Sequence, residues 1–239
     1  MKKDLGVLPA VFPMPVLMVA TYSEDGKSAE ITLDAQTVVG KSYICSGVIY
    51  DINGNSLSFS QKFCGFNEHP AKLIFNEIRV KNDKSSNSAE FIEFYTLKSG
   101  NTYGLEIVSA ANGEVKKYSF PAIEVTDGEY ITVHGRIYED VEDVALDELE
   151  DDFAISMAKD SCDTARDLWK GVNEKIVSAN DVVVLRDSIS KAIKDAVLLH
   201  DSKTSNWSKK TMGEYAEKAH SLGIWTSGSG ASNAFCTDN

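Results

Sequence analysis

Cysteine and histidine are scarce in this chain, with four of each in 239 residues. Cys45, Cys64, Cys162 and Cys236 form no C-x-x-C, and His69, His134, His200 and His220 show no H-x-x-x-H spacing. A zinc centre needs clustered thiolate and imidazole donors, so none is expected. No apolar run reaches the roughly 18 residues that cross a bilayer as a helix, so no membrane span is expected. Positive charge is also short: 24 Lys and Arg stand against 36 Asp and Glu, for a net charge of −12. Such a surface repels phosphate backbones and no basic stripe interrupts it, which excludes nucleic acid as a general partner. The phosphate-cradling patterns G-x-G-x-x-G and G-x-x-x-x-G-K-[ST] are missing, as is regular strand–helix alternation.

What is present is ordinary for a globular protein, 43% hydrophobic and 25% charged, on a chain long enough for a substantial core. The start, "MKKDLGVLPAVFPMPVLMVATYS", has two lysines and then an apolar stretch. Asp4 interrupts the basic end and Pro9, Pro13 and Pro15 break the stretch, so it does not read as a cleaved signal peptide.

Most of the chain reads as strands. "PVLMVATYSEDGKSAEITLDA" is two runs around Glu24-Asp25-Gly26, and "SYICSGVIYDINGNSLSFSQKF" is a hairpin whose Asn53-Gly54 suits a tight two-residue turn. "HPAKLIFNEIRV" begins a strand after Pro70. Further pairs are expected around Asn112-Gly113, Asp127-Gly128 and Asp187–Ser190. Near the end, Trp207, Thr211, Met212, Tyr215, Ala219 and Leu222 recur at three- and four-residue steps, one apolar face of a helix. The Ser/Gly-rich tail "TSGSGASNAFCTDN" reads as mobile.

Candidate chemistry is thin. In "AEFIEFYTL" (89–97), Glu90 and Glu93 are three apart, so a strand directs them to opposite faces and they do not form an acid–base pair. Ile92 and Phe94 then share one face, Phe91 and Tyr95 the other. The acidic run from Glu139 to Asp152 reads as a solvated loop anchored by Val141, Val144, Leu146 and Leu149. Glu150, Asp151 and Asp152 are its calcium candidates, without a D-x-[DN]-x-[DN]-G loop to support them. "DSCDTARDLW" (160–169) offers Cys162 as a nucleophile only if the fold supplies His134 or His200. Cys45 and Cys64 flank a hairpin; a disulfide across it and free buried thiols are both open. Trp169, Trp207 and Trp225 with Tyr95, Tyr103 and Tyr130 are either core residues or a binding face for carbohydrate or peptide.

Two resemblances add to this. "IFNEIRV" (74–80), "AEFIEFYTL" (89–97), "YGLEIVSAANG" (103–113), "YSFPAIEV" (118–125), "GEYITVHG" (128–135) and "NDVVVLRDSISKAIKDAVLLHD" (180–201) follow one another as the blocks of a lamin-tail domain do, so residues 72–200 resemble that family. Its G-W tryptophan is replaced by Tyr103-Gly104-Leu105, and 143–173 is a long insertion. The resemblance implies an immunoglobulin-like β-sandwich without catalytic residues, extracytoplasmic or at the cell surface, acting in binding or attachment. Residues 1–27 are similar to the opening hairpin of flavin reductase-like FMN-binding proteins, but "SAEITLDAQTV" (28–38) follows where that family has its flavin-contacting segment, so no cofactor site carries over.

The expected organisation is therefore mainly β: an N-terminal segment 1–27, an immunoglobulin-like β segment 28–71 supplying extra hairpins, a lamin-tail-like sandwich 72–200, and a C-terminal helix and tail 201–239. The expected role is a non-enzymatic binding, attachment or structural module, without cofactor, for a protein, glycan or envelope partner. An FMN-dependent reductase and a calcium-dependent adhesion module are the alternatives.

Overall fold

The computed structural model describes residues 10–12, 18–51, 53–113, 116–138, 140–171, 174–201 and 206–238. The segment likened to a flavin reductase opening, 1–27, lies largely outside them, as does Glu139. The chain divides into two compact units, Met1–Glu68 and His69–Asn239.

The first unit carries β1 (Ala10–Phe12), β2 (Met18–Tyr22), β3 (Ala29–Leu33), β4 (Ser42–Tyr50) and β5 (Ser56–Cys64). β2 and β3 form one hairpin, and β1-β4-β5 an antiparallel sheet. The β4–β5 connection is not the expected two-residue turn. Among the described residues of the loop only Gly54 takes a positive φ, 83°, and the Asp51 carboxylate captures the amides of Asn53 and Asn55 at 2.8 and 2.9 Å, closing a longer loop. Of the two states left open for Cys45 and Cys64, the disulfide does not form. Cys45 lies opposite Gln61 and Cys64 opposite Ser42. An offset of three residues sends the two thiols to opposite faces of the hairpin, and neither is in a disulfide.

The second unit carries β6 (Lys72–Arg79), β7 (Phe91–Lys98), β8 (Gly100–Asn101), β9 (Leu105–Ser109), β10 (Tyr118–Ser119), β11 (Glu124–Val125), β12 (Tyr130–His134), β13 (Arg166–Trp169), β14 (Asp181–Asp187), β15 (Ile193–His200), α1 (Lys210–Ser221) and β16 (Phe235–Cys236). One sheet has the order β13-β12-β7-β6, the other β10-β9-β14-β15-β16, and β8 pairs with β11. The fold is a mainly β sandwich with a helix near the C-terminus. Ile92, Phe94, Ile131, Val133 and Leu168 of the first sheet meet Leu105, Ile107, Val183, Leu185 and Leu199 of the second in one buried cluster. As the alternation of "EFIEFYTL" predicts, Ile92 and Phe94 point inward and are fully buried.

β6 shows how a local irregularity is written in spacing. Its inward residues are Leu73 and Phe75, then Ile78 and Val80. Phe75 pairs with Phe94 but Glu77 with Glu93, so Asn76 is an extra, bulged residue that shifts the inward set by one. Gly100, at φ 153°, passes so close to His69 that a Cβ would fall 2.3 Å from its carbonyl oxygen, which only glycine tolerates.

The two strands expected around Asp127-Gly128 do not pair with each other: β11 joins β8 and β12 joins β7, so the turn crosses between sheets. The helix forms as its periodicity predicts and lays Met212, Ala216 and Ala219 on Val108, Val182, Val184 and Leu198 of the outer face of the second sheet. The tail expected to be mobile instead packs. Trp225 and Ala231 are buried, and β16 adds in parallel to β15, Phe235 opposite Leu199. Apolar Ala231 and Phe235 among the small residues, the latter edge-on to Trp225 just before the tail, supply the contacts that a Ser/Gly count overlooks. Among the described residues no helix is long and apolar enough to cross a membrane.

Met212 is completely buried between helix and sheet. Met212→Ala is expected to cost about 2–5 kcal/mol, read as a lower urea midpoint at unchanged slope.

Candidate functional site

The free edges of the sandwich sheets decide where a partner finds room, because an unpaired strand edge presents amides and carbonyls to any extended chain. β13 is one such edge, and it is sealed. The acidic segment expected to be a solvated loop runs along it: the Asp167 amide donates to Glu148 Oε2 at 2.7 Å, the Trp169 amide to Asp147 Oδ1 at 2.7 Å, and the Glu148 amide to the Asp167 carbonyl at 3.0 Å. Glu148 is fully buried. Burial raises both carboxyls above the usual carboxylate range, and the backbone N–H bonds only partly offset it.

Arg166 clamps the segment in place. Its guanidinium is fully buried and donates to Glu129 Oε1 (2.7 Å), the carbonyls of Glu148 (2.7 Å) and Glu150 (2.6 Å) and Asp151 Oδ1 (3.0 Å), with Phe153 stacked 4.7 Å away. This accounts for the calcium candidates. Asp151 faces Arg166, Asp152 accepts the Ala154 amide, Glu150 gives its carbonyl to the guanidinium, and among the described residues no three His, Cys, Asp or Glu side chains are grouped to hold a metal ion.

The other candidates disperse. Glu90 is buried against Arg136 at 3.1 Å, whereas Glu93 accepts from Asn76 at 2.6 Å on the outer face. His134 gives Nε2 to Asp167 Oδ1 at 2.8 Å and lies fully buried under Trp169, ring to ring at 4.0 Å. Cys162 comes near only through its backbone, whose amide donates to Asp167 Oδ2; its thiol meets Thr164 Oγ1 at 3.0 Å. His200 turns to the Asp201 carbonyl. The aromatic residues do not form one face: Trp169 with His134 and the Tyr95–Tyr130 pair at 5.2 Å lie on the outer face of the first sheet, whereas Trp225 and Trp207 pack against α1 outside the second. A second buried ionic group, invisible in the sequence, centres on Glu106, which meets Arg186 (2.7 Å), Lys117 (2.6 Å) and Lys191 (2.9 Å). Burial alone would raise its carboxyl, but the three cations outweigh that and hold it below the usual range.

The opposite side of the sandwich is open. β6 ends its sheet, and on the facing sheet β15 carries only the two residues of β16 beyond it. Between them lies a cleft of about 550 Å³ walled by Phe75, Ile78, Val80, Val197, Leu199 and Phe235. Farther along β6, Ala71 and Leu73 face Leu105, Leu185 and Lys194 across a second hollow of about 340 Å³. One polar contact separates the two: Asp195, which the β15 alternation places on the core-facing side with Val197 and Leu199, accepts the Phe75 amide at 2.8 Å. Burial raises the Asp195 carboxyl, offset in part by the amides of Phe75 and Ala196. Phe235 is 61% exposed at the rim. The polar side chains of the larger cleft are already engaged, Asn76 with Glu93 and Thr237 with the carbonyls of Ala179 and His200.

Residues 71–239 match a family described as the second domain of a TP_1001 protein, and the chain belongs to that family. The matched range begins within a few residues of the boundary between the two units. A protein of Treponema pallidum (strain Nichols) described as uncharacterized is 30% identical over 167 residues, 69% of this chain and 40% of its own length. The chain thus spans well under two thirds of that relative. The crystal structure of a DUF4876 family protein from Bacteroides thetaiotaomicron aligns over 86% of this chain and 77% of its own at 11% identity and a TM-score of 0.33, a likeness that carries no argument about fold or role.

Glu148 tests the sealed edge. Glu148→Gln keeps one acceptor where two amides, of Asp167 and Ser156, need one each. It is expected to cost about 1–3 kcal/mol at neutral pH. Because the native carboxyl is raised, the folded state binds its proton more tightly than the unfolded chain. That contribution is fully present below the unfolded value of about 4.3 and lost as pH rises through the native value. Urea unfolding should therefore show the gap between wild type and variant widening as pH falls from neutral.

Proposed function

We propose that this chain is a non-enzymatic binding module that receives an extended polypeptide segment on the open side of its sandwich. The observation that carries this reading is the contrast between the two edges of the first sheet: β13 is covered by Asp147 and Glu148, whereas β6 borders a cleft of mixed polar and apolar surface, walled by Phe75, Ile78, Val197 and Leu199 and rimmed by the exposed Phe235. An apolar pocket with few convergent polar groups is the usual form of a binding site, and an edge strand beside it adds main-chain hydrogen bonding.

Among the partner classes expected from the sequence, a polypeptide fits best. A glycan needs polar side chains free to bond its hydroxyls, and those of this cleft are spent within the protein. The resemblance to lamin-tail domains agrees with a binding or attachment role and implies an extracytoplasmic setting. The buried carboxylates and His134 support a non-enzymatic reading, because their neighbours are structural and they face the protein interior. A flavin-dependent role rests on residues 1–27 alone, and a calcium-dependent one on carboxylates committed to Arg166 and β13.

The test is a titration of the full chain with a labelled peptide of alternating valine and threonine, about as long as β6, beside an all-polar peptide and a soluble oligosaccharide. Saturable binding of the alternating peptide alone is expected. Phe235→Ala should leave stability within about 0.5 kcal/mol yet weaken binding roughly tenfold or more. Absence of binding by the alternating peptide, or binding indifferent to Phe235, would refute the assignment.

A further inference from the structure

We infer that Asp195 occupies the place of an incoming strand's carbonyl, and that the bound segment enters by adding to β6 and displacing it. The inference rests on the binding role proposed above and specifies how the cleft is used. The Phe75 amide points away from β7, toward the open side, and a β6 without a further strand would leave it unpaired at a half-buried position. A buried donor must find an acceptor. The acceptor here is a side chain, not a strand: Asp195 Oδ2, reaching across from the other sheet at 2.8 Å. A carboxylate on the core-facing side of an otherwise apolar strand is costly, and burial already disfavours its charged form. Its hydrogen bond to Phe75 is what it accomplishes there.

The surroundings identify the occupant as polypeptide in extended form. Apart from the bulge at Asn76, the apolar positions along β6 and just past it, Leu73 and Phe75 then Ile78 and Val80, recur at the step at which a strand presents alternate side chains, and Val197 and Leu199 repeat it opposite. The two hollows lie on either side of the Phe75–Asp195 bond, so one extended segment would span both once that bond opens. The same side of the molecule already accepts a strand. Phe235–Cys236 pairs with Leu199 and His200, and this added strand stops after two residues, leaving the rest of β15 on that side without a strand partner among the described residues. An incoming segment would do at β6 what β16 does at β15 on the facing sheet, with the Phe75 amide transferred from a carboxylate to a backbone carbonyl.

The experiment measures affinity for the alternating valine–threonine peptide together with hydrogen exchange at the Phe75 amide, in wild type, Asp195→Ala and Asp195→Asn. Without peptide, the Phe75 amide is expected to be protected in wild type, to exchange faster in Asp195→Ala, and to stay largely protected in Asp195→Asn, which keeps an acceptor oxygen. With peptide it should be protected in all three. Asp195→Ala should bind about tenfold tighter, because one charge-assisted competitor is gone, and Asp195→Asn should stay near wild type. If Asp195→Ala loses its fold, Asp195→Ser, whose shorter side chain does not reach the Phe75 amide, takes its place in the same measurements. Peptide binding that leaves Phe75 exchange in Asp195→Ala fast overturns strand addition while leaving the cleft as a binding site. No peptide binding at all removes the cleft reading itself. Self-association of Asp195→Ala that excludes the peptide would make a second copy the occupant and overturn this assignment.

Discussion

The Arg166 guanidinium is the contact on which the shape of this sandwich turns. It is fully buried, and burying a charge of that size costs several kcal/mol unless partners surround it. Two carboxylates and two carbonyls do so, all from segments that lie outside the sheets proper. The clamp fixes the course of residues 147–151, and that course brings Asp147 and Glu148 onto the amides of β13. An acidic stretch that would otherwise be repelled into solvent becomes the cover of a sheet edge. Without the guanidinium the two carboxylates would keep only their bonds to the amides of Asp167, Trp169 and Ser156.

The consequence is an asymmetric molecule. One margin of the sandwich is finished with the side chains of Asp147 and Glu148; on the other, among the described residues, β16 covers two residues of β15 and Asp195 meets the Phe75 amide. Natural sheets usually blunt their edges to avoid pairing with other chains. Here a whole insertion covers the β13 edge, whereas at β6 one aspartate meets one amide. The buried polar residues elsewhere, Glu106 with its three cations and His134 with Asp167, act within the fold in the same manner as Arg166.

Much of the architecture was legible in the sequence, for local reasons. Alternation in "EFIEFYTL" gave the faces of β7, the three- and four-residue steps gave α1, and turn residues gave the β4–β5, β9–β10 and β14–β15 hairpins. The bulge at Asn76 is visible in retrospect as the step from Phe75 to Ile78. What was not legible depends on contacts between distant residues. β13 is four residues long inside a polar stretch, and nothing local distinguishes it. β16 is two residues in a Ser/Gly-rich tail, held by Leu199 and His200. Carboxylates that seal an edge and carboxylates that face water have the same composition, so Asp147 and Glu148 read as solvated. Asp195 passed unnoticed because its partner, the Phe75 amide, is 120 residues away.

The central claim is that one margin of the first sheet is sealed and the other is open. Native-state hydrogen exchange, resolved residue by residue on the full chain, tests it directly. The account predicts that the amides of Asp167 and Trp169, at the edge of β13, exchange only with global unfolding, whereas the outward amides of β6 other than Phe75 exchange by local opening several orders of magnitude faster. Equal protection along both margins, or a β13 edge that exchanges as readily as β6, would contradict it.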